Sequence, residues 1–156
     1  MGGLDRMIAS QEREGIATGD QDADAYLREN PNAVLIGVLL DQQIRAEVAF
    51  SGPYRLYERL GHLDLRTIAD MDPDAFKEVF GRKPAIHRFA SMMADRVQTV
   101  ARLVADEYDG DASKFWADAE DDAAVAQRAK QLPGFGASKA KTLVSALDLF
   151  GYRSRT

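Results

Sequence analysis

The chain has 156 residues, no cysteine and a formal net charge of −5. This length suits one domain, and 46% hydrophobic residues suffice for a single core. The absence of cysteine excludes disulfides and a four-cysteine iron–sulfur cluster, and two histidines alone make a poor metal site. No apolar run approaches the ~18 residues of a membrane span, and the N-terminus lacks a signal-peptide core. We therefore expect a cytoplasmic protein with no membrane partner and no cofactor.

The start of the chain differs in composition from the rest. Residues 15–24 are rich in Asp and Gly, which predicts a loosely packed stretch. We therefore expect residues 1–29 to form a partly flexible N-terminal segment, followed by a helical domain over residues 30–156.

Helix signals recur along that domain. Asn30-Pro31 and Asp72-Pro73 each place a capping residue before a proline, which is typical of helix starts. Ser51-Gly52-Pro53 predicts a break between two helices, and Pro84 is expected to open the longest helix. No alternating strand pattern occurs. The prediction is an all-α fold, a compact bundle of about eight short helices.

A glycine-rich turn near the C-terminus is the most informative local feature. Leu132-Pro133-Gly134-Phe135-Gly136 precedes a helix pattern that starts at Ala137 and is stopped by Gly151. Two glycines permit positive φ and a tight hairpin. The helix after it would present unpaired N–H groups to an anion such as a backbone phosphate. The structural alternative is an ordinary helix corner with a glycine C-cap.

The charges are unevenly distributed. Residues 128–156 carry six basic residues against Asp148, a local charge of +5 that leaves −10 for the rest. A second basic stretch runs from Lys77 to Arg102, and an acidic block follows over residues 106–122. Each run could be only a solvated helix face. Because the basic C-terminal segment coincides with the hairpin, we expect a polarised molecule with one side that faces DNA.

A second segment ends an apolar helix pattern in polar residues, Asp41-Gln42-Gln43. Two adjacent amides cannot both face one core. Either the helix emerges into water there, or one glutamine projects toward nucleic acid. A long amide can fill the gap left by a displaced base or bond to base edges.

Both motifs resemble those of a known family. Leu132 to Ala140 resembles the helix-hairpin-helix of endonuclease III-like base-excision DNA glycosylases, and Leu39 to Gln43 resembles their "LLSQQT" segment. The resemblance is strongest to a small bacterial branch of that superfamily. It implies a C-terminal helix-hairpin-helix without the iron–sulfur lobe, and double-stranded damaged or mismatched DNA as partner. It further implies a monovalent cation on the backbone of residues 132–136. The DNA-binding residues that it implies are Gln42, Gln43, Leu132, Gly134, Phe135, Gly136, Ser138 and Lys139.

Departures from the family limit the chemistry that carries over. The position of the lyase lysine holds Ser138, which resembles the monofunctional members, and Lys139 one residue later is expected to contact a phosphate. The position of the family aspartate falls on Thr156, and that of an alternative glutamate on Val38. The remaining candidate is Asp41, whose alternative role is a helix cap.

Asp148 is a second, weaker candidate carboxylate, which could instead pair with a nearby basic residue. Little chain follows the hairpin helix, so residues 1–30 or a second subunit in a homodimer would have to close the DNA cleft. We weigh three functions. They are a monofunctional DNA glycosylase-like enzyme, a catalytically silent module that binds distorted DNA, and a helical protein-interaction domain.

Overall fold

The computed structural model describes residues 3–156, and every regular element in that range is a helix, which confirms the all-α prediction. The ten helices are α1 Gly3–Glu14, α2 Gln21–Glu29, α3 Pro31–Leu40, α4 Ala46–Leu60, α5 Leu65–Asp70, α6 Pro73–Gly81, α7 Ala90–Glu107, α8 Ser113–Trp116, α9 Asp122–Ala129 and α10 Ala137–Leu149. None of them is long and apolar enough to cross a membrane.

Helix α3 lies at the centre of the molecule. It begins with the predicted Asn30-Pro31 signal, and its residues from Ala33 to Leu40 are all buried. A helix that is apolar on every side must be enclosed by other elements. Helices α2, α4, α7 and α10 surround it. The crossing with α4 is close, since a Cβ added to Gly37 would lie 2.5 Å from Cδ1 of Phe50.

Two predicted boundaries are wrong. Helix α4 continues through Ser51-Gly52-Pro53 instead of breaking there. Both Gly52 and Pro53 are buried, and a Cβ on Gly52 would meet Leu40 at 2.8 Å, so packing against α3 outweighs the missing amide of the proline. The longest helix, α7, begins at Ala90 and not at Pro84, because residues 83–89 form a loop.

The N-terminal segment is packed more tightly than its composition predicts. Met7 of α1 and Leu27 of α2 are fully buried in the common core. Asp24 is 1% exposed, and its carboxylate accepts hydrogen bonds from the amides of Ala17 and Thr18 at 2.6 and 3.0 Å. This buried network fixes the stretch that we expected to be loose. Helix α1 packs against α4 and α10.

The C-terminal hairpin joins α9 to α10, as predicted. Helix α10 begins at Ala137, ends before Gly151 and packs on α3. Its first turn lies at the C-terminal end of α3, where Lys139 bonds to Val38. Beyond its other end, the hydroxyl of Tyr152 donates to the carbonyl of Leu27 at 2.6 Å. Helix α10 therefore runs antiparallel to α3 and brings the hairpin to the end of the central helix.

Candidate functional site

The C-terminal end of α3 leads into a turn that holds the three polar residues of the second motif. The helix ends at Leu40, so Asp41, Gln42 and Gln43 lie in the turn and not on the helix itself. The amide of Asp41 donates to Val38 at 3.2 Å. Gln43 has a φ of +58°, in the left-handed region that non-glycine residues rarely adopt. The turn therefore presents an exposed Gln43 from a strained backbone.

Lys139 closes the end of α3. Its Nζ atom donates to the carbonyls of Val38, Leu39 and Asp41 at 3.3, 3.1 and 3.3 Å. The last carbonyls of a helix lack intrahelical partners, and a cation there also opposes the helix dipole. Burial lowers the pKa of Lys139, and the nearby Asp41 raises it. Its ammonium group is thus already bound within the protein, and the phosphate contact expected of Lys139 stays a prediction.

His87 also holds this turn. Its ring is 2% exposed, and Nε2 lies 3.1 Å from the carbonyl of Leu40 and 3.0 Å from that of Gln42. The amide of Phe89 donates to Nδ1 at 3.0 Å. Two acceptors at Nε2 and a donor at Nδ1 fit only the neutral ring protonated on Nε2. Burial lowers the pKa of His87, which agrees with that state.

The two glutamines have different surroundings. Nη1 of Arg96, on α7, donates to Oε1 of Gln42 at 3.1 Å. Arg96 also borders the hairpin, since a Cβ on Gly134 would lie 3.8 Å from its Cδ. The side chain of Gln43 has no hydrogen-bond partner among the described residues. Gln42 is thus fixed in place, and Gln43 is the amide that can reach a ligand.

The carboxylate of Asp41 is half-buried and accepts no hydrogen bond from any residue in the described chain. Burial raises its pKa, whereas Lys139 and Arg6 lower it. Arg6 comes from α1 and is itself held by the carboxylate of Glu47, at 3.1 Å. Helix α1 therefore supplies a cation that acts on Asp41.

In the hairpin, only one of the two glycines needs its conformational freedom. Gly134 has a φ of +80°, as predicted, and the amide of Phe135 donates to Leu132 at 3.0 Å. Gly136 is extended, with φ −101°, and a Cβ there would meet nothing within 4 Å. Gly136 therefore does not use the positive φ that a glycine permits. Leu132 and Phe135 are 3% and 6% exposed, so their side chains anchor the hairpin in the core, and a DNA contact by these two residues stays a prediction.

The start of α10 is open to solvent. Gly136 is its N-cap and provides no side-chain acceptor, and the first turn contains no acidic residue. The amides of Ala137, Ser138 and Lys139 precede the first helical bond, which runs from Ala140 to Gly136. Ala137 and Ser138 are exposed. This end of α10 therefore carries uncompensated partial positive charge.

Several basic side chains around the turn and hairpin have no carboxylate partner within 4.0 Å among the described residues; they are Lys83, Arg88, Arg96, Lys130 and Lys141. By contrast, Arg128 and Arg155 pair with Asp118 and Asp122 of the acidic block. Part of the predicted basic C-terminal segment is thus neutralised. The five unpaired basic residues named above lie in the loop before α7, on α7 itself and close to the hairpin in sequence.

Three residues of this site were missed in the sequence, namely Arg6, His87 and Arg96. His87 and Arg96 contact Gln42 although they lie 45 and 54 residues away from it in the sequence. No local spacing indicates such contacts. Asp148, the weaker candidate carboxylate, is exposed near the far end of α10 and lies away from the turn.

No protein-family model and no curated protein matches this chain. Within residues 3–156, no group of three or more His, Cys, Asp or Glu side chains is arranged to hold a metal ion. The carbonyl of Leu132 accepts the amide of Phe135, and a monovalent cation on the backbone of residues 132–136 stays a prediction.

Proposed function

We propose that this chain is a DNA-binding base-excision-repair protein of the helix-hairpin-helix type, a monofunctional N-glycosylase that acts on damaged or mismatched duplex DNA. One observation carries the proposal. The exposed, strained Gln43 stands beside the half-buried Asp41, in a turn that is held by the helix of the hairpin. Base recognition, sugar chemistry and phosphate binding would then occur on one surface.

The phosphate contact is expected at the start of α10. Its free amides point outward, and the open space at Gly136 lets a phosphate approach the backbone closely. Lys130 and Lys141 lie on either side of this point along the chain, and neither is neutralised by a carboxylate. Lys139 is assigned a different role, which is to hold the turn.

Asp41 would stabilise the sugar during base loss. When the N-glycosidic bond breaks, its electrons leave with the base and positive charge develops on the sugar ring. A carboxylate in a preorganised, partly desolvated site stabilises that charge, and water then adds to the anomeric carbon. Burial raises the pKa of Asp41 above its ordinary value, and Lys139 and Arg6 oppose that rise. Gln43 would occupy the gap left in the duplex by the displaced nucleotide.

The proposed reaction forms no covalent intermediate with the protein. Ser138 stands where lyase-type relatives carry a lysine, according to the resemblance. Lys139 is the nearest amine, and its three bonds to carbonyls require a protonated, non-nucleophilic ammonium group. Water is therefore the expected nucleophile.

A catalytically silent module for distorted DNA is the second candidate. It is favoured by the scarcity of carboxylates at the turn. Besides Asp41, the carboxylate near the turn is that of Glu47, which is bound to Arg6 and Arg45. Both candidates bind duplex DNA. A helical protein-interaction domain would not bind it.

Duplex binding separates these cases. We would measure fluorescence anisotropy with a duplex that contains a tetrahydrofuran abasic-site analogue, and with the intact duplex, over a series of salt concentrations. Gln43→Ala should lose affinity mainly for the abasic duplex, by about tenfold or more. Gln42→Ala is the matched control, since its amide is bound to Arg96. No binding at low salt would contradict the proposal and favour the interaction domain.

A further inference from the structure

A cluster of three tyrosines lies on the surface formed by α2 and α4. The ring centroid of Tyr26 is 4.7 Å from that of Tyr57 and 5.7 Å from that of Tyr54. Tyr57 is 36% exposed, and none of the three hydroxyls has a hydrogen-bond partner among the described residues. We refer to these rings and the carboxylates beside them as the tyrosine face.

The carboxylates of the tyrosine face are exposed and form no ion pair in the described chain. Asp22 and Glu29 are four residues before and three residues after Tyr26, so they share its side of α2. Glu58 lies four residues after Tyr54 on α4. Asp22 and Glu58 are close enough to Tyr54 that, with burial, they raise the pKa of its hydroxyl.

Arginines of α4 lie at the border of this face, where Arg55 and Arg59 line a cleft together with Glu58. Arg55 and Arg59 of α4 donate to the carbonyls of Ile86 and Pro84, in the loop before α7. Arg28 of α2 donates a hydrogen bond from Nη2 to Oε1 of Gln11, on α1, at 2.9 Å. The tyrosine face therefore combines partly exposed aromatic rings with exposed carboxylates, of which Glu58 borders the arginines of α4 and Asp22 and Glu29 lie on α2. Arginine and lysine side chains fit such a surface by stacking on the rings and pairing with the carboxylates.

The tyrosine face is remote from the proposed DNA site. Tyr26 borders a cleft of ≈360 Å³ that is also lined by Asn30 and Pro31, at the N-terminal end of α3. The turn of Asp41 lies at the other end of this helix. Ten residues at 1.5 Å each separate the two ends by about 15 Å. Both surfaces can therefore be occupied together, and the negative charge excludes DNA from the tyrosine face.

We propose that the tyrosine face is a docking surface for an arginine- or lysine-rich segment of a partner protein. Cationic side chains would stack on Tyr26 and Tyr57 and pair with Asp22 and Glu58, and the adjoining cleft would receive a neighbouring side chain. This inference does not depend on the proposed function, because no residue of the Asp41 turn takes part in it.

The test uses the full chain and a fluorescein-labelled octapeptide of alternating arginine and glycine, with anisotropy as the readout. We expect saturable binding that weakens with salt, with an affinity reduced about tenfold or more in Tyr57→Ala and in Asp22→Asn/Glu58→Gln. Tyr57→Phe keeps the aromatic ring and should bind within about twofold of the unmodified chain. Circular dichroism verifies the fold of each variant.

The matched control is Glu107→Gln/Glu120→Gln, which removes the same two charges at exposed positions elsewhere. Equal weakening by both double variants would show non-specific attraction to an acidic protein and overturn the proposal. Absence of peptide binding would overturn it as well. So would a concentration-dependent dimer that Asp22→Asn/Glu58→Gln dissolves, because the occupant would then be a second copy of this chain.

Discussion

Replacing Lys139 by Met removes the ammonium group that closes α3 and keeps most of the apolar length of the side chain. Three carbonyls, of Val38, Leu39 and Asp41, lose a donor. The bonds are 3.1 to 3.3 Å long and half-exposed, so we take about 1 kcal/mol for each, the value for an ordinary bond. The free energy of unfolding of the variant should therefore be about 3 kcal/mol lower.

Urea denaturation followed by circular dichroism measures this loss. With a slope of about 2 kcal/mol per molar urea, a typical value for small proteins, the midpoint should fall by roughly 1.5 M. Lys141→Met is the control on the same helix. Lys141 is exposed and has no partner in the described chain, so its replacement should change stability by less than about 0.5 kcal/mol.

The competing interpretation, that Lys139 contacts a phosphate, makes the opposite prediction. Lys139→Met would then be as stable as Lys141→Met, and the slope of log affinity for duplex DNA against log salt would decrease by about one. An unchanged urea midpoint would refute the assignment of Lys139 to the end of α3.

Three further predictions concern the hairpin and the turn. Gly134→Ala should destabilise the fold by about 1 kcal/mol or more in urea titrations, because of its positive φ, whereas Gly136→Ala should leave stability intact and weaken duplex binding. Burial lowers the pKa of His87 in the folded state, so the unfolded state binds the proton at a higher pH. The free energy of unfolding should therefore fall as the pH drops below about 6.5, and His87→Gln should weaken this dependence on pH. Borohydride should trap no adduct with abasic DNA, and an adduct that Lys139→Arg abolishes would refute the monofunctional assignment.

Local signals in the sequence predicted the elements that depend on local backbone chemistry. The proline-led starts of α3 and α6 and the start of α10 after Gly136 agree with the structure. The break predicted at Pro53 does not. That proline is buried where α4 crosses α3, and tertiary packing overrides the local preference.

The site could be predicted only in part. The resemblance drew attention to Asp41, Gln42 and Gln43, but it could not tell which glutamine is free. That distinction depends on Arg96, which is 54 residues away from Gln42. The role of Lys139 depends on carbonyls about 100 residues earlier in the chain. Contacts of this kind arise from packing and leave no periodic signal.

Single-turnover base excision by Asp41→Asn tests the central claim most directly. Wild type is first incubated with duplexes that carry uracil, oxidised or alkylated bases, and abasic sites are revealed by alkaline cleavage. Asp41→Asn keeps the shape of the residue and removes its charge, so excision should fall about 100-fold, or roughly 3 kcal/mol of barrier, while duplex affinity persists. Asp148→Asn, at the far end of α10, should excise at the wild-type rate. Full excision by Asp41→Asn would contradict the role of Asp41, and no excision by wild type on any of these duplexes would contradict the glycosylase assignment itself.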